Sequence, residues 1–139
     1  AYEHELLPLA DIITPNLDEA AVLLGSEVRT MRGMDAAACA LRDKYGASVL
    51  LKGGHFGGRR ATDVLCTAAG AEEFVLPRLP GHETHGTGCT LSAAVAAGLA
   101  RGRSLRTAVA DAKKYVHRAM QRHYAWRRGS AATMALRHL

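Results

Sequence analysis

Ala47-Ser48-Val49-Leu50-Leu51-Lys52-Gly53-Gly54 is an apolar run of strand length that ends on a lysine and two glycines. Such a run, with no polar alternation, reads as a strand covered on both faces, the usual state of a parallel strand. Just upstream, Met34, Ala37, Ala38, Leu41 and Tyr45 recur at helical spacing over Met34–Tyr45, and Gly46 supplies the stop. Further upstream, Ala10–Thr14 is a short β-branched run ended by Pro15, which predicts a strand. Leu17–Leu24 then has helical character and ends at Gly25. Strand, helix and strand in that order predict an α/β layered fold with parallel strands joined by right-handed crossovers.

Downstream, Thr62–Thr67 and Glu73–Leu76 flank Ala68–Glu72, centred on Gly70, and read as an antiparallel hairpin. Gly88 to Ala100 is a helix of small residues. Ser104 is placed to cap a last helix, whose apolar positions Leu105, Ala108, Val109, Ala112, Val116, Ala119 and Met120 keep helical spacing. Two buried strands and one hairpin form a thin sheet for three or four helices, which predicts half of a larger sheet. Arg127–Leu139 reads as a basic tail or frayed helical appendage, separate from a domain over 1–126.

The 139 residues suit one domain, and 48% apolar with 22% charged residues is the balance of a globular chain. No apolar run approaches the ~18 residues that span a bilayer, so no membrane partner is expected. The three cysteines, Cys39, Cys66 and Cys89, are odd in number and widely spaced. That argues against a disulfide framework or a CxxC zinc site and suggests a reducing, cytoplasmic compartment. The formal charge of +5 suits an anionic partner, and phosphorylated small molecules meet that need as well as nucleic acid does. Most of the basic residues from Arg101 onward surround an apolar helical stripe, the pattern of a solvated face, so nucleic acid is not expected as a partner.

The densest chemical signal is Thr84-His85-Gly86-Thr87-Gly88-Cys89-Thr90, which runs straight into a helix. Its glycines allow close backbone approach, and the helix start offers unpaired N–H groups and the positive end of a dipole. Gly86, Thr87, Gly88 and Cys89 therefore read as an anion hole, with an ordinary glycine-rich loop as the structural alternative. Two familiar phosphate motifs fail: no lysine follows as a P-loop requires, and Leu91 takes the third glycine's place in a dinucleotide fingerprint. His82-Glu83-Thr84-His85 has i, i+3 spacing beside glycines, which does not form the helical zinc motif. Glu83 reads as a loop carboxylate, either near a phosphate-bound magnesium or simply solvated. Asn16-Leu17-Asp18-Glu19 reads as a capping box at the end of a strand. Glu19 there is also placed to hold magnesium through water. Lys52 ends its strand as a point charge for phosphates or as a solvated side chain. Cys89, in a helix's first turn, is a candidate base or nucleophile, whereas Cys39 and Cys66 read as inert.

Several stretches occur in a shared order: Leu7 to Ala20, with Thr14-Pro15-Asn16-Leu17-Asp18-Glu19 at its centre; Leu51-Lys52-Gly53-Gly54-His55; Asp63-Val64-Leu65; and Thr84 to Ser92. Together they resemble the carboxyl-terminal half of hydroxymethylpyrimidine/phosphomethylpyrimidine kinases of thiamine biosynthesis, a branch of the ribokinase superfamily. The likeness runs from about Leu6 to Tyr124. Most ribokinase relatives carry aspartate where this chain has Cys89, and cysteine there points to the pyrimidine branch.

The resemblance implies a partial ribokinase-like three-layer α/β fold with a mostly parallel sheet, a β-hairpin and flanking helices. It also implies phosphorylation of a pyrimidine hydroxymethyl group and then of its monophosphate, with ATP and Mg2+. Carried over, Gly86, Thr87, Gly88 and Cys89 form the anion hole, with Cys89 at the base position. Glu19 organises magnesium, while Lys52, Thr84 and Asn16 face the nucleotide. Family members are roughly twice as long, and the absent amino-terminal half supplies much of the pyrimidine pocket. Self-association or a complementing amino-terminal half is therefore expected. The alternatives are an inactive fragment or association domain that keeps the fold, and a pyridoxal-kinase-like enzyme.

Overall fold

The computed structural model describes residues 2–54, 56, 58–79, 86–128 and 131–138. The chain divides into two units, Ala1–Pro77 and Arg78–Leu139.

In the first unit, a single turn of π-helix at Tyr2–Leu6 and a 3-10 turn at Leu7–Leu9 lead into β1 (Ile12–Ile13). Helices α1 (Leu17–Leu24) and α2 (Met31–Tyr45) follow, then β2 (Ser48–Lys52), β3 (Arg60–Thr67) and β4 (Gly70–Pro77). The strands form one sheet in the order β1-β2-β3-β4. β1 pairs with β2 in parallel, as a helical crossover requires. The short connection from β2 to β3 and the hairpin from β3 to β4 make the other two pairings antiparallel. The sheet is therefore mixed, which corrects the expectation of a mostly parallel one.

The pleat decides which residues form the core. Ile13, Val49, Leu51, Val64 and Cys66 share a buried cluster with Leu17 and Ala20 of α1 and with Met34, Ala37, Ala38, Leu41 and Tyr45 of α2. Leu50 and Leu65 lie on the opposite face of the pleat and are buried too. The run Val49-Leu50-Leu51 is thus enclosed on both sides, as its composition predicted.

Helix α2 begins three residues before the expected Met34. Thr30 caps it by accepting the Gly33 N–H at 3.1 Å. Gly33 lowers helix propensity in that first turn and hides it from a periodicity reading. The amino-terminal turn is pinned to the end of α2: Tyr45 Oη donates to Glu3 Oε1 at 2.6 Å, and Lys44 Nζ lies 2.7 Å from the same oxygen. The hydrogen bonds from Lys44 and Tyr45 hold the Glu3 carboxyl below its usual range.

Cys39 on α2 and Cys66 on β3 are joined as a disulfide, with Cα atoms 5.5 Å apart. This corrects the reading of both as inert thiols and removes the cysteine count as an argument for a reducing compartment. A sequence separation of 27 makes them look remote, but packing α2 on the sheet makes them neighbours.

In the second unit, α3 (Thr87–Ala100) and α4 (Leu105–Gln121) form an antiparallel pair. Ser104 caps α4 as predicted, accepting from the Thr107 N–H. The helices approach closely because Gly98 carries no side chain: a Cβ there would lie 2.9 Å from Ala108 Cβ. Ala108, Val109, Ala112, Val116 and Ala119 are buried, whereas Arg106, Lys114 and Arg118 are exposed. β5 (Tyr124–Arg128) and β6 (Ala131–Ala135) then pair antiparallel. This strand pair replaces the helical tail expected over 127–139 and straddles the boundary drawn at 126. Among the described residues, no helix is long and apolar enough to cross a membrane.

Candidate active site

The carboxyl ends of β1 and β2 gather the first group of expected residues. Pro15 ends β1, and its carbonyl accepts the Lys52 N–H at 2.9 Å. Asn16 continues the parallel alignment as an isolated bridge to Lys52. Asn16 is also the N-cap of α1, and the capping box is complete: Asn16 Oδ1 accepts from Glu19 N at 2.8 Å, and Glu19 Oε2 accepts from Asn16 N at 2.7 Å. The same Glu19 oxygen lies 4.0 Å from Lys52 Nζ. Asn16, Glu19 and Lys52 therefore form one cluster where open α/β sheets bind ligands, a lysine beside a carboxylate at the start of a helix.

Glu19 is just over half exposed, whereas Lys52 is mostly covered, at 57% and 19% side-chain exposure. One Glu19 oxygen is tied into the cap and the carboxylate still faces solvent, which suits a magnesium ion held through water. No group of three or more His, Cys, Asp or Glu side chains able to hold a metal occurs among the described residues. Magnesium carried by phosphates needs no such cage, so the donors present fit it.

Sequence reasoning missed the carboxylate behind this cluster. Asp63 on β3 is the register partner of Lys52, is buried, and accepts the Gly53 N–H through Oδ1 at 3.1 Å. The available signal was one acidic residue directly before the apolar run Val64-Leu65-Cys66, since buried carboxylates are rare unless paired.

The second group lies at the start of α3. Gly86 is the N-cap at φ +86°, and α3 has no side-chain cap, unlike α1, α2 and α4. The first backbone bond of the helix is Thr90 N to Gly86 O at 2.9 Å. The amides of Thr87, Gly88 and Cys89 thus precede the intrahelical ladder, on the end of the helix that carries positive dipole. Cys89 is exposed and is a free thiol. Ser92 Oγ donates to Gly88 O at 3.1 Å, tightening this turn. Thr84, together with His82, Glu83, His85 and His55, lies outside the described residues.

The sequence model of the phosphomethylpyrimidine kinase family matches residues 1–134. The chain belongs to that family. It is 49% identical over 113 residues to the hydroxymethylpyrimidine/phosphomethylpyrimidine kinase of Streptomyces coelicolor, covering 80% of this chain and 41% of that protein. It is 44% identical over 117 residues to the Rhizobium meliloti enzyme of the same name, covering 84% and 44% respectively. Among solved structures, the ADP complex of Bacillus subtilis pyridoxal kinase superposes with a TM-score of 0.88 at 34% identity, covering 99% of this chain and 51% of that one. The family's relatives thus share a ribokinase-like α/β fold, and this chain spans less than half the length of these two curated proteins.

Proposed function

We propose that this chain is the nucleotide-handling part of a kinase that phosphorylates hydroxymethylpyrimidine and then its monophosphate in thiamine biosynthesis. The observation that carries this reading is the gathering of Asn16, Glu19 and Lys52 at the carboxyl ends of two parallel strands. Family membership supports a phosphoryl-transfer role for that cluster.

Lys52 acts as a point charge on the nucleotide phosphates, and the resemblance assigns Asn16 and Thr84 to the nucleotide. Glu19 holds magnesium through water, and the ion neutralises phosphate charge when it arrives with ATP. The amides of Gly86, Thr87 and Gly88 receive the charge that builds on the transferring phosphoryl group. Phosphoryl transfer is loose, so the attacking hydroxyl needs alignment more than a strong base, and Cys89 serves at the base position. Complete turnover requires the pyrimidine pocket that longer relatives contain, supplied by a complementing amino-terminal half. A cytoplasmic setting is compatible with this use of ATP.

Calorimetry with magnesium and ATP tests the reading. The parent chain is expected to bind and Gly88→Val to lose binding, because a branched side chain intrudes where the amides meet the phosphate. Unchanged affinity in Gly88→Val would remove the anion hole. In a preparation complemented to full turnover, Cys89→Ala is expected to lower kcat by about a hundredfold or more and to leave ATP affinity nearly unchanged. Equal turnover of variant and parent would take Cys89 out of the chemistry.

A second reading, pyridoxal phosphorylation, is favoured by the likeness to the Bacillus subtilis pyridoxal kinase. Competition between hydroxymethylpyrimidine and pyridoxal in that preparation decides between the two: kcat/KM is expected to favour the pyrimidine, and the reverse order would establish the second reading.

A further inference from the structure

We infer that Asp63 is a positioning residue for Lys52 and the turn that follows it, a role that rests on the nucleotide reading of Lys52 given above. Lys52 leaves β2 as its last residue, and a side chain there has no downstream ladder to hold it. What fixes the chain at this point is the next amide. Gly53 N–H is shared between Thr62 O at 3.0 Å and Asp63 Oδ1 at 3.1 Å, both on β3. Asp63 is only 8% exposed, and a carboxylate at that depth accepts hydrogen bonds that are stronger than neutral ones.

Beyond Gly53 the chain turns back on itself, with Phe56 N donating to Gly53 O at 3.2 Å. Phe56 packs against the core cluster. Asp63 therefore clamps the base of a turn whose first side is Lys52. On the other side of Lys52, Pro15 O and the Glu19 carboxylate complete the frame. Removing the carboxylate leaves the Gly53 amide to Thr62 O and loosens the aim of the ammonium, without touching the ammonium itself.

The test compares Asp63→Ala with Asp63→Asn in the whole chain. Asparagine keeps an acceptor oxygen for the Gly53 amide and alanine does not. Asp63→Ala is expected to weaken binding of ATP with magnesium by about tenfold in the folded protein, a change of about 1.4 kcal/mol. Asp63→Asn is expected to stay within about twofold of the parent. Val64→Ala, a neighbouring core truncation, should lower stability and leave affinity unchanged. Parental affinity in Asp63→Ala, or equal losses in both Asp63 variants, would overturn the role.

Hydrogen exchange at the Gly53 amide gives a readout that needs no nucleotide. It should accelerate at least tenfold in Asp63→Ala relative to Asp63→Asn, and equal protection in the two would overturn the clamp directly. A parent chain that fails to bind ATP while the exchange rates separate as expected would sink the nucleotide reading and leave the clamp standing.

Discussion

Gly53→Ala is expected to destabilise the protein by about 2–6 kcal/mol, a large part of the 5–15 kcal/mol that typically holds a domain together. The glycine is required by space, since its backbone is not in the left-handed region. An added Cβ would collide with the Thr62 carbonyl oxygen and would lie 2.7 Å from Met34 Cε and 2.8 Å from Met34 Sδ. Met34 is fully buried and has nowhere to retreat. Overpacking of this kind costs about 1–3 kcal/mol. Pushing Gly53 away from β3 also breaks the bonds its amide makes to Thr62 O and Asp63 Oδ1, for about 1–3 kcal/mol more. Urea denaturation measures the sum. Adding Met34→Ala to Gly53→Ala should show favourable coupling between the two changes, because the side chain is relieved while the carbonyl clash persists. A Gly53→Ala midpoint within experimental error of the parent would show that β2 and β3 do not approach as closely as described.

Much of this was legible in the sequence wherever local chemistry sets the structure. Asn16 and Glu19 were read as a capping box and make both of its bonds, and Ser104 starts the helix it was expected to start. The run Ala47–Leu51 announced a strand enclosed on both faces because no polar alternation interrupts it. The readings that failed depend on partners distant in sequence. Ala131-Ala132-Thr133-Met134-Ala135 has poor strand propensity and becomes a strand by pairing with Tyr124–Arg128. The antiparallel course of β3 beside β2 follows from their short connection, which the apolar run of β2 does not announce. For the site, residue type and position at strand ends were enough to single out Asn16, Glu19 and Lys52. Asp63 was quoted as part of a motif and given no role, because the peptide it holds is that of a residue ten positions away.

The Cys39–Cys66 pair makes the second large prediction. A cross-link closing a loop with a sequence separation of 27 removes freedom mainly from the unfolded chain, worth about 3–4 kcal/mol on a chain-entropy account. Adding a thiol reductant, or substituting Cys39→Ser, is expected to lower the melting temperature by about 10 °C or more, given how a chain of this length converts free energy to temperature. Once Cys39→Ser has removed the cross-link, reductant should have no further effect, which separates loss of the bond from any packing change at Cys39. Thiol titration of the unreduced, unfolded protein should count one group, Cys89, and three after reduction. Three groups without reductant would show the pair to be two packed thiols, and the earlier reading from cysteine spacing would then stand. Cytosolic disulfides are rare, so in a reducing cytoplasm the same chain would do without this cross-link. The packing of α2 on β2 and β3 would then have to hold the Lys52 end of the sheet in place by itself.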